Sequence, residues 1–72
     1  MTTTEQLVAR LKKAVKKGRL SLAYGQREWY GLKIDISPLF CSYGQIGYEI
    51  YVYGYGTICY DAELGRVYEE ED

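Results

Sequence analysis

The chain has 72 residues, 47% of them hydrophobic and 26% charged, with nine Tyr, eight Gly, one Pro and no His. That length gives one domain, 1–72, with a stability of about 4–10 kcal/mol, and the ordinary apolar fraction excludes a disordered chain. A net charge of −1 conceals segregation: residues 1–33 carry +6 and residues 34–72 carry −7, setting a basic pole against an acidic one.

The first element is a helix over about 4–17. On a 100° wheel Leu7, Val8, Leu11, Ala14 and Val15 form one stripe, while Arg10, Lys12, Lys13, Lys16 and Lys17 fall opposite. Thr2, Thr3 or Thr4 can cap its start, with Glu5 or Gln6 closing a capping box. Gly18 ends it in the left-handed conformation. Lysines gather in the last turns, where the helix dipole favours them.

After Gly18 the hydrophobic period drops to two, predicting strands over about 20–24, 29–36, 46–53, 57–60 and 66–69. Gly25-Gln26-Arg27 and Gly54-Tyr55-Gly56 read as short loops, and Ala62 to Gly65 as a four-residue turn with Asp61 opposite Arg66. Ser37-Pro38 ends the second strand, because Pro lacks the ladder donor. Residues 37–45 then form an irregular loop whose Leu39, Phe40, Cys41 and Tyr43 pack on the body. The expected fold is α+β: an N-terminal amphipathic helix followed by a four- to five-stranded antiparallel meander, strongly curved or a half-barrel.

One register of the central hairpin satisfies the pattern. With Ile36 opposite Ile46, Ile34 meets Tyr48, Leu32 meets Ile50 and Tyr30 meets Val52. On the other face Lys33 meets Glu49, Gly31 meets Tyr51 and Trp29 meets Tyr53. Five strands span about 20 Å against about 10 Å for a helix. The helix therefore leaves inner-face residues for curling, for the 37–45 loop or for a second copy to cover.

Three groups of residues stand out as candidate sites. The first is aromatic: Trp29, Tyr51, Tyr53, Tyr55 and Tyr68 lie on the expected outer face, and Trp and Tyr are enriched at binding hot spots. Tyrosine also suits twisted sheets, which is the plainer explanation. The second is basic: Arg10, Lys13, Lys17 and Arg19 could grip phosphates, although amphipathicity alone accounts for a solvated lysine face. The third is the acidic tail Glu69 to Asp72, read first as a solubilising end and otherwise as a mimic of nucleic-acid charge or a dock for a basic partner.

Signals for catalysis are missing. Without His the usual neutral-pH acid–base group is gone, and the two cysteines lack Cys-x-x-Cys spacing. No catalytic residue, metal ligand set or cofactor motif is assigned. The N-terminus has no apolar h-region, so a cytoplasmic location without membrane contact is expected, with Cys41 and Cys59 reduced unless the compartment is oxidising. The leading expectation is a non-catalytic protein–protein interaction module, a small inhibitor or adaptor of the phage- or mobile-element-type. A homodimer is expected through the exposed faces and opposite charge poles. The alternative is a small domain binding single-stranded nucleic acid through Trp29, the tyrosines and the basic helix.

Overall fold

A computed structural model describes residues 3–69. One helix, α1 (Thr4–Lys16), precedes five strands, β1 (Gly25–Trp29), β2 (Leu32–Cys41), β3 (Gly44–Val52), β4 (Gly56–Asp61) and β5 (Arg66–Glu69). The strands make one antiparallel sheet in the order β1-β2-β3-β4-β5. The fold is α+β, as the change of hydrophobic period from 3.6 to two implies.

Both ends of α1 are chemically closed. Thr3 Oγ1 accepts from the Gln6 amide at 3.1 Å, and Gln6 Oε1 accepts from the Thr3 amide at 3.0 Å. At the other end the Arg19 amide donates to the Ala14 carbonyl and the Gly18 amide to the Val15 carbonyl, with Gly18 at φ +70°. That double bond pattern around a left-handed glycine is the Schellman cap. Val8, Leu11 and Val15 point from α1 into the core, where they meet Leu32, Ile34, Ile36, Ile50, Val52 and Ile58 from the middle three strands.

The helix lies nearest β4 and β5 and does not cover the whole sheet. The rest of the inner face is closed by the connection after the helix. Leu20 and Leu22 pack against the core, Arg27 Nη1 donates to the Ser21 carbonyl at 2.9 Å, and the Tyr24 ring lies 6.1 Å from that of Tyr48. This corrects the expected strand at 20–24. Its apolar alternation serves a strap across the sheet, not a ladder. The segment expected as the loop Gly25-Gln26-Arg27 instead begins β1.

Two turns explain the other differences. Tyr30 and Gly31, both at positive φ (48° and 85°), make a two-residue hairpin inside the stretch expected to be one strand from 29 to 36. Trp29 consequently pairs with Leu32, and Lys33 with Glu28. At the other end β2 continues through Pro38 to Cys41 and returns through Ser42-Tyr43, so 37–45 is a hairpin and not a packed loop. Pro38 is accommodated because β1 reaches only to Ile36, leaving β2 an open edge beyond it. Ile36 therefore faces Ile50, four residues from the expected Ile46, and Ile34 faces Val52. An even slip keeps every side chain on its face.

The long hairpin contains one irregularity. Leu39 pairs with Gly47 and Phe40 with Gln45, which leaves Ile46 as an extra residue in a β-bulge. Beside it the chain is tight: a Cβ on buried Gly47 would stand 1.7 Å from the Tyr60 carbonyl oxygen. Only glycine fits there.

Candidate functional site

The sheet separates the aromatic residues that the sequence grouped together. Alternation along the paired strands places Asp35, Ser37, Glu49, Tyr51, Thr57, Cys59 and Tyr68 on the face away from α1. Tyr53, just past β3, joins this face: its ring lies 5.0 Å from that of Tyr51 at 62°, and Gln26 Nε2 donates to its hydroxyl at 2.8 Å. The Arg66 guanidinium sits 5.7 Å from the Tyr68 ring centroid. Tyr51, Tyr53 and Tyr68 are all exposed.

Two of the expected five lie elsewhere. Tyr55 occupies the β3–β4 turn, where its hydroxyl donates to Glu69 Oε1, the same oxygen that takes Lys12 Nζ of α1. Trp29 is half-buried on the helix side, packed against the core, because the turn at Tyr30-Gly31 reverses the face that an unbroken strand would give it. An unbroken strand over 29–36 faces Trp29 outward and Tyr30 inward. In the structure Tyr30 is the exposed one, at 78%.

The outer face carries both signs of charge, with Lys33 and Arg66 beside its carboxylates. On the outer face Asp35 lies between Gln26 and Tyr51, and Glu49 between Ser37 and Cys59, so neither carboxylate has a cation directly across from it. On the helix side Arg10, Lys13, Lys17 and Arg19 line a groove of about 400 Å³ together with Trp29 and Tyr30. The first three recur at helical spacing on one flank of α1, and the Schellman cap turns Arg19 back beside them. Among the described residues the ion pair is Lys12–Glu69, which leaves those four cations to solvent.

Titration shifts follow these contacts. Lys12 and then Tyr55, both donating to it, hold the Glu69 carboxyl below its ordinary value. The Tyr55 hydroxyl is raised, first by its bond to Glu69. Burial, with the neighbouring Cys59, raises that of Tyr68. Each tyrosine therefore remains a neutral hydrogen-bond donor through the physiological range.

Other expected features can be placed as well. Cys59 is buried, Cys41 half-buried, and no disulfide joins them. Of the acidic tail, Glu69 ends β5, and Glu70 to Asp72 lie outside the described residues. No group of three Cys, Asp or Glu among the described residues is gathered as a metal site would require. No helix among them is long and apolar enough to cross a membrane. The sequence reading missed Tyr30, Gln26 and the exposed rings Phe40 and Tyr43 near the β2–β3 turn. The Tyr30-Gly31 dipeptide was the available signal for the first of these, since X-Gly between alternating segments marks a hairpin. Comparison with known proteins finds no matching family model, no matching curated protein and no matching solved structure.

Proposed function

We propose that this chain is a non-catalytic protein–protein interaction module of the cytoplasm, a small inhibitor or adaptor that covers a partner's working surface. The observation that carries the reading is the Tyr51–Tyr53 pair, two exposed rings in edge contact and fixed by Gln26. Such rings offer wide amphipathic contact at low entropic cost. Asp35 and Glu49 lie beside the rings with Lys33 and Arg66 on the same face, which favours a partner of mixed charge whose arginines can pair with the carboxylates and stack on the rings. Catalysis is left out because the chain has no His. The reading takes the sheet as strongly curved, toward a half-barrel, supported by the bulge at Ile46.

A second copy is one partner such a face could take. Because the strap over 19–24 helps close the inner face within one chain, a homodimer is expected through the outer face. Sedimentation at micromolar concentration tests this, and a mass that stays that of a single chain rules the dimer out. The wider proposal is tested by replacing Tyr51 and Tyr53 together with Ser. Circular dichroism should stay that of the native chain while a partner captured by the native protein is lost. Equal capture by the variant would refute the proposal.

A further inference from the structure

We infer that the groove between α1 and the β1–β2 turn binds single-stranded nucleic acid, at a site separate from the outer tyrosine face. Charge supplies the first argument. Arg10, Lys13, Lys17 and Arg19 converge on one groove that no carboxylate lines, and none of the four is in an ion pair among the described residues. From Arg10 to Lys17 the helix rises about 10 Å, so the cations form a short line along the groove and not a single point.

The second argument is the aromatic wall. Trp29 and Tyr30 stand in edge-to-face contact, with centroids 4.6 Å apart and planes at 89°. Trp29 packs against the core and gives the Tyr30 ring a fixed edge to lean on, while Tyr30 as a residue is 78% exposed. Fixed rings beside phosphate-binding cations form a stacking platform, and unpaired bases stack on such rings whatever their sequence. Duplex bases are already stacked on one another and cannot use it.

Backbone conformation gives the third argument. Tyr30 has φ 48°, the only non-glycine residue at positive φ among those described. The first position of this turn favours Asn, Asp or Gly, and a bulky ring there is strained. Strain of this kind persists where the side chain is needed. An acidic protein segment would use the four cations and give Tyr30 no role, so nucleic acid accounts for more of the site.

Trp29 is the sole tryptophan, so its fluorescence reports on the groove directly. Titration with a short oligothymidylate should quench it saturably at low salt. If all four cations engage, affinity should fall on the order of 100-fold between about 20 mM and about 150 mM salt. Lys13→Gln with Lys17→Gln should roughly halve the slope of log affinity against log salt. Tyr30→Asn puts a favoured residue in the turn, so it should fold at least as well as the native chain while binding about 5-fold or more weakly. The inference is overturned by an absence of quenching at low salt, or by native affinity in Tyr30→Asn. Equal quenching by polyglutamate or by a DNA duplex would overturn it too. Loss of the tyrosine pair at 51 and 53 should leave this binding unchanged, which separates it from the proposed protein interface.

Discussion

Gly47→Ala is the substitution to which this fold should be most sensitive for its size. The added Cβ would stand 1.7 Å from the Tyr60 carbonyl oxygen, 2.8 Å from its carbonyl carbon and 3.2 Å from the Ala62 nitrogen. All three are backbone atoms, so no side chain can swing aside, and β4 must move away by more than an ångström. That motion breaks the pairing of Gly47 with Asp61 and the 2.9 Å bond from the Ala62 amide to the Ile46 carbonyl. Two lost ladder bonds at about 1 kcal/mol each and about 1–3 kcal/mol of overpacking sum to about 3–5 kcal/mol. A domain of this length has about 4–10 kcal/mol in total. Thermal melting followed by circular dichroism should show a fall of about 15–30 °C. Gly54→Ala is the matched control, since it has open space around it and a positive φ of 80°, and should cost about 1 kcal/mol. If Gly47→Ala melts within a few degrees of Gly54→Ala, the close approach of β3 and β4 is not as described.

Other expectations follow from single contacts. Because Glu69 titrates below its ordinary value of 4.5 when folded, its contribution is fully present above that value and is lost as pH falls through the depressed one. Lys12→Met should therefore flatten the acid side of a stability–pH curve, and an unchanged acid limb would show that the pair carries nothing. Tyr30→Asn should raise the urea midpoint by relieving about 1 kcal/mol of backbone strain; a lower midpoint would mean the ring is needed for folding. Cys41 should react with a thiol reagent in the native state, whereas buried Cys59 should react only as fast as the protein opens. Equal rates would place Cys59 at the surface.

The sequence revealed the faces better than the pairings. Ile34, Ile36, Ile50 and Val52 were all legible as core from their alternation, and all are buried. Alternation repeats every two residues, so a slip of four satisfies it equally well, and only the turn chemistry could fix which residues meet. That chemistry was hidden at Tyr30-Gly31, where an aromatic occupies a place usually held by Asn, and at Pro38, whose tolerance depends on how far β1 extends. The edge strand β1, with the polar sequence Gly-Gln-Arg-Glu-Trp, carried almost no apolar signal. Its neighbour 20–24 carried such a signal and used it in a strap. The place of that one turn decides whether Trp29 lies on the helix side or the outer face, and with it where the candidate site falls.

The order of the strands also bears on how the chain reaches this state. Every strand pairs with its successor, so each hairpin closes over a few residues and forms at small entropic cost. The contact between α1 and β5 is different: Lys12 and Glu69 are 57 residues apart in sequence. Local contacts are made early and distant ones late. The sheet can therefore take shape as a run of quick, local steps before the helix seats against its far edge. Weakening the docking of α1 should therefore hasten unfolding while leaving the folding rate nearly alone.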